Sequence, residues 1–76
     1  MSKVVLITGG SSGIGKAVGE FLQSKGCIVY GTSRNPQRIK DSKFPLIALD
    51  VTKIETIAAC INEVVSKEGR LDVLIN

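Results

Sequence analysis

Four aliphatic residues, Val4 to Ile7, run straight into Thr8-Gly9-Gly10-Ser11-Ser12-Gly13-Ile14-Gly15. Beyond the bend, Ile14, Ala17, Val18, Phe21 and Leu22 fall at i, i+3, i+4, i+7 and i+8, one stripe of a helix that should face a sheet. Strand, glycine bend and helix in immediate succession restrict the fold more than any other feature of the chain. Such a bend directs the unpaired backbone N–H groups and the positive dipole end of the helix at one point, which suits an anion. The glycines imply that this anion approaches the backbone closely.

The same alternation continues downstream. Lys25 and Gly26 close the first helix as a cationic last turn and a left-handed cap. Cys27 to Tyr30, running on toward Ser33, reads as a second strand. Asn35-Pro36 reads as a cap and first helical residue, with one or two turns before Lys43. Leu46 to Leu49 is a third strand closed by Asp50. Thr52-Lys53-Ile54-Glu55 matches a capping box, opening a helix with Ile54, Ile57, Ala58, Ile61, Val64 and Val65 on one side. Gly69 caps that helix, and Val73 to Ile75 begins a fourth strand. The pattern βαβαβαβ with short connections implies an α/β fold with a parallel sheet and right-handed crossovers.

Composition agrees. The 76 residues form at most one small domain, 43% apolar but only 4% aromatic, so the core is built from aliphatic side chains. Strands covered on both faces read in this way. A net charge of +3 accommodates an anionic ligand but does not mark a nucleic-acid binder, and three aromatic side chains are too few for a base-stacking platform. The cluster Arg34, Arg38, Lys40 and Lys43 reads either as a solvated loop or as a phosphate-facing one. Cys27 and Cys60 have no metal-ligand spacing and sit in apolar runs, as buried cysteines of a reducing, cytoplasmic compartment do. The opening apolar run is too short for a signal-peptide core or a membrane span.

Two phosphate readings compete at the bend. From Gly10 the chain reads GxxxxGK, as in an ATP-binding P-loop, and Leu46 to Asp50 resembles the strand that supplies a magnesium contact there. A P-loop continues with Ser or Thr, whose hydroxyl binds the metal. Here Ala17 follows, on the stripe expected to face the sheet. In the dinucleotide reading each glycine has its own role. Gly9 permits a tight exit from the strand, Gly13 leaves room for a pyrophosphate, and Gly15 allows close packing of the helix on the sheet. The usual GxGxxG spacing is not met, because the glycines stand as Thr8-Gly9-x-x-x-Gly13-Ile14-Gly15.

That spacing resembles the TGxxxGxG turn of the short-chain dehydrogenase/reductase family. Asp50-Val51 after the third strand and Leu71-Asp72-Val73-Leu74-Ile75-Asn76 match the same family in order and spacing. The resemblance spans the chain and implies a Rossmann-type three-layer sheet, here incomplete, with strand order 3-2-1-4. It implies that Ser11, Ser12, Ile14 and their neighbours lie along the pyrophosphate and adjoining ribose. Asp50 would accept from the adenine amino group with the Val51 backbone on the ring edge, although a plain turn residue is the alternative for Asp50. Asn76 would brace the sheet as the first Asn of the family's NNAG segment.

Cofactor preference turns on Thr32-Ser33-Arg34. NAD-binding proteins place an acid about 20 residues beyond the glycine turn, on the ribose 2′-hydroxyl. Ser33 occupies that position, and Arg34 follows it. In the family this arrangement goes with NADP (NADPH); the choice here rests mainly on Arg34, with Arg38 as a candidate second cation, and an exposed arginine is the alternative. Ser12 stands where many NADP-dependent members carry another basic residue.

The family transfers hydride between cofactor and a carbonyl or alcohol using a Tyr-x-x-x-Lys pair and a serine from the later half of its chains. Residues 1–76 contain one tyrosine, Tyr30, inside a strand with Arg34 four positions on, and no catalytic residue is assigned. The resemblance implies the NADP-binding half of an oxidoreductase. A non-catalytic dinucleotide-binding or assembly module is the competing reading. The fourth strand offers an unpaired aliphatic edge, which should promote self-association.

Overall fold

The computed structural model describes residues 2–10 and 13–76. Strands β1 (Val4–Ile7), β2 (Ile28–Ser33), β3 (Leu46–Ala48) and β4 (Val73–Ile75) alternate with helices α1 (Gly13–Ser24) and α2 (Ile54–Glu68). A single 3₁₀ turn, Pro36–Arg38, stands between β2 and β3. The sheet has the expected order β3-β2-β1-β4, all parallel, with Leu6 opposite Tyr30 and Leu74. Every residue of β1 is buried, as a central strand covered on both faces must be. Because strand side chains alternate, Val4 and Leu6 join one core with Tyr30, Ile47, Cys60 and Val64. Val5 and Ile7 join the other with Val29 and Phe44.

Both helices turn a different face to the sheet than their apolar residues alone suggest. In α1 the sheet side is Gly15, Val18, Gly19 and Leu22, whereas Ile14 (84% exposed), Phe21 (60%) and Ala17 point outward. Glycine carries little hydropathy, so apolar spacing passes over the two residues that permit the closest approach. Lys25 lies just beyond the helix and places its ammonium 5.5 Å over the Phe21 ring. In α2 the covered stripe is Ile57, Cys60, Ile61 and Val64; Ile54, Ala58 and Val65 are exposed. Gly69 ends α2 in the left-handed conformation with its N–H on Val65 O at 2.8 Å.

Three further expectations are corrected. The capping box does not form: Thr52 gives both its N–H and its hydroxyl to Asp50 Oδ1, at 3.0 and 2.7 Å, and Lys53 caps α2 without a side-chain bond. Asp competes strongly for local N–H groups, and here it prevails over the helix end. The second helix expected after Asn35-Pro36 is only the 3₁₀ turn, and Asn35 makes no side-chain cap bond. Cys60 is buried, but Cys27 is half-buried at the mouth of β2.

Long-range polar bonds tie the layers. Asp72 Oδ2 accepts from Val4 N at 2.8 Å and from Arg70 Nε at 2.9 Å, pinning the start of β4 to the start of β1. Tyr30, 5% exposed, donates its hydroxyl to Glu68 of α2. That bond, together with burial, raises the phenol from 10.0 to about 12. A phenol raised in the folded state contributes stability that is complete below 10.0 and lost as the pH climbs to about 12. Urea unfolding should therefore show Tyr30→Phe less stable than wild type by about 1 kcal/mol in the neutral range. The gap should close across this alkaline window.

Candidate cofactor cleft

The carboxyl ends of β1, β2 and β3 open onto one cleft of about 650 Å³. A volume of this size holds a small-molecule ligand, and strand carboxyl ends are where open α/β sheets bind them. Thr8 and Gly9 form its floor, Thr32 to Asn35 with Arg38 and Ile39 one wall, and Leu49 to Thr52 the other. Five of the residues expected at the site meet there: Gly9, Ser33, Arg34, Asp50 and Val51. Gly13, Ile14 and Gly15 open α1 alongside and do not line it; Ser11 and Ser12 lie outside the described residues. Asn76 lines a smaller apolar cavity of about 110 Å³ shared with Thr8, Val51 and residues of α2. It is held to β1 through Thr8, whose hydroxyl lies 3.2 Å from Asn76 Oδ1 and 3.3 Å from Ile75 O.

The bend is fixed by backbone contacts. Gly13 has φ +60, and none of the described residues beyond its chain neighbours comes within 4 Å of the position of a Cβ. A methyl group on Gly15 would lie 2.5 Å from Gly9 O and 3.3 Å from the Gly10 Cα. The close approach of Gly15 is thus to the bend itself, and not to the sheet as expected. Thr32, which apolar patterning does not single out, is fully buried, and its hydroxyl accepts the Gly9 N–H at 3.0 Å. The sequence does carry a signal for it: a threonine facing inward at the end of a central strand needs a polar partner.

Charge is divided between the walls. Asp50 is held below the usual carboxylate range by the Thr52 hydroxyl and amide, with Lys53 and Arg34 adding positive field. Its Oδ2 has no protein hydrogen-bond partner among the described residues. Opposite, Arg34 and Arg38 are exposed on the wall where Ser33 uses its hydroxyl to accept the Asn35 N–H at 3.2 Å. No carboxylate lines that wall among the described residues. Ala17 is exposed, so the objection to a P-loop from its orientation fails; the missing hydroxyl remains.

A parallel sheet in the order 3-2-1-4 with a glycine bend at its switch point defines a nucleotide-binding α/β unit. The family model described as short chain dehydrogenase matches residues 3–76, and this chain belongs to that family, whose members bind nicotinamide dinucleotides. It is 42% identical over 74 residues to 3-ketodihydrosphingosine reductase of Bacteroides thetaiotaomicron, covering 97% of this chain and 27% of that protein. It is 41% identical to the chloroplastic NADPH-dependent aldehyde reductase 1 of Arabidopsis thaliana, covering 97% and 31%. Among solved structures, 3-ketoacyl-(acyl-carrier-protein) reductase from Brucella melitensis, complexed with NADH, superposes with a TM-score of 0.81 at 29% identity, covering 95% and 32%. The chain therefore spans about a third or less of these relatives.

Backbone contact and backbone conformation make separable demands on the bend. Gly13→Ala, which only forces a methyl-bearing residue into positive φ, should cost about 1–2 kcal/mol. Gly15→Ala, which must displace the Gly9 carbonyl, should cost more, up to about 3 kcal/mol. Urea unfolding of the two variants would establish the order, and equal costs would contradict the contact.

Proposed function

We propose that this chain is the NADP(H)-binding portion of a short-chain oxidoreductase that transfers hydride between NADP(H) and a carbonyl or alcohol substrate. The observation that carries the preference is the wall formed by Ser33, Arg34 and Arg38, which offers two guanidinium groups and, among the described residues, no carboxylate of its own. In this reading the N–H groups at the start of α1, from Gly13 onward, hold the pyrophosphate. Arg34, aided by Arg38, pairs with the ribose 2′-phosphate. Asp50 and the Val51 backbone hold the adenine edge, and Asn76 braces β4 beside the nicotinamide side. An arginine is suited to phosphate because its planar fork makes two parallel charge-assisted bonds. The NADPH dependence stated for the Arabidopsis relative supports this choice, whereas the NADH bound to the Brucella reductase makes it a question for titration.

The chain supplies cofactor binding and orientation. The cofactor, when bound, would exchange hydride with the substrate; no proton-transfer residue is assigned in this chain, whose one tyrosine, Tyr30, is committed to Glu68 inside the core. Two free cysteines, one of them buried, suit a reducing cytoplasm.

Calorimetric titration with NADPH and NADH tests the preference. Arg34→Asp should weaken NADPH binding by roughly 10- to 150-fold, the equivalent of one charge-assisted bond of about 1.5–3 kcal/mol. It should also improve NADH binding relative to NADPH. Unchanged NADPH affinity would remove Arg34 from the site. The open edge of β4, with Leu74 51% exposed, supports a second expectation: self-association, visible as a concentration-dependent mass in light scattering. A monomer at high concentration would refute it.

A further inference from the structure

The connection between β2 and β3 has no helix beyond its 3₁₀ turn, and residues 39–45 return across the face that also carries α1. Polar contacts hold this strap to α1 at successive turns. Lys16 pairs with Asp41 at 2.9 Å, Lys43 lies 4.0 Å from Glu20, and Gln23 Nε2 donates to Lys43 O at 2.9 Å. These groups are largely exposed, and pairs of that kind bind weakly. The firm attachment is Phe44, 4% exposed, whose ring fills a cup built from three glycines of three different elements. A methyl group on Gly19 of α1 would lie 2.5 Å from both Cε2 and Cζ of the ring. One on Gly31 of β2 would lie 2.7 Å from Cε1, and one on Gly10 of the bend 3.4 Å from Cε1.

We infer that Phe44 is a positioning residue for the dinucleotide, holding the phosphate-binding bend and the arginine-bearing wall in fixed relation through the Gly10–Gly19–Gly31 cup. The inference rests on the dinucleotide reading of the cleft. The ring lies against Gly31 of the strand that delivers Ser33 and Arg34, and Gly31 in turn packs on the bend, where a methyl group on Gly10 would lie 3.0 Å from the Gly31 Cα. It also terminates the strap that begins at Ile39, a lining residue of the cleft. Phe44 is the side chain common to all three glycines, and a planar ring is the shape that a cup without Cβ atoms accepts. Interiors pack too densely for such a wedge to be removed without its walls shifting. Here two of the walls, Gly10 and Gly31, are each one residue from residues that line the cleft, Gly9 and Thr32.

The test compares Phe44→Leu with Val64→Ala, a truncation in the opposite core where the side chain is fully buried. Both variants lose stability, but under conditions where both are folded only Phe44→Leu should raise the Kd for NADPH, by about tenfold. A second readout needs no ligand. The Gly9 amide, bonded to Thr32 Oγ1, should exchange with solvent at least about tenfold faster in Phe44→Leu, with no such change in Val64→Ala. Gly19→Ala supplies the signature of the cup itself: it should speed Gly9 exchange in the wild type, where the methyl strikes the ring, and slow it in the Phe44→Leu background, where it fills vacated space. Matching effects of Phe44→Leu and Val64→Ala on Kd and on Gly9 exchange would overturn the inference while leaving the cofactor reading intact. If the wild-type chain bound neither NADPH nor NADH, the cofactor reading would fall and take the inference with it.

Discussion

The structure depends on one close approach, that of the first turn of α1 to the backbone of the bend between it and β1. Gly15 stands where a methyl group would reach within 2.5 Å of Gly9 O, so helix and bend interlock main chain to main chain. Everything functional follows from that contact. It brings the start of α1 to the carboxyl end of β1, beside the cleft lined by the ends of β1, β2 and β3, and makes the helix dipole available there. The buried Thr32 hydroxyl then holds Gly9 from the β2 side, so that two neighbouring elements fix the same bend.

Much of this architecture is legible in the sequence because it rests on periodicity and punctuation. β1 and β4 match their aliphatic runs residue for residue, and the glycine after α2 ends that helix as its position indicates. The parallel order 3-2-1-4 follows from family resemblance, whereas alternation alone dictates only a parallel sheet. Less is legible where the deciding contact is made by an absent side chain. Apolar spacing misplaces the sheet face of α1 because Gly15 and Gly19 count for nothing in such a pattern, yet their missing Cβ atoms decide which face can approach. The capping box fails for a related reason. Spacing identifies possible partners, but Asp50 lies two residues before Thr52 and binds it first, leaving Thr56 to bond the Asp50 N–H and carbonyl groups.

The candidate site divides in the same way. Gly9, Ser33, Arg34, Asp50 and Val51 are recognisable because each occupies a strand end, and strand ends converge in a parallel sheet whatever the connections do. Thr8, Thr32, Arg38 and Ile39 complete the cleft through tertiary placement; of these only Arg38 stands out in the sequence, by its charge. Asn76 faces a different cavity because Thr8 draws it toward the α2 side of β1.

The charge arrangement bears on what kind of ligand the cleft can discriminate. A carboxylate held ionised by Thr52 can accept hydrogen bonds but not donate them, so the Asp50 wall favours a group carrying N–H. The guanidinium groups of Arg34 and Arg38 donate but never accept, so their wall favours an anion. Beside the arginine wall, on its β1 side, lies the bend, where α1 opens with the unpaired N–H groups of a helix start. A ligand that satisfies all three presents a donor at one end, an anion in the middle and a second anion at the far end. In the proposed reading the adenine of NADP meets the Asp50 wall, the 2′-phosphate on the adjoining ribose meets the arginines, and the pyrophosphate reaches the bend, whereas a free 2′-hydroxyl would bring the arginines no anion. On that proposal the size of the preference would be set by how completely water is excluded from the arginines when the cleft fills.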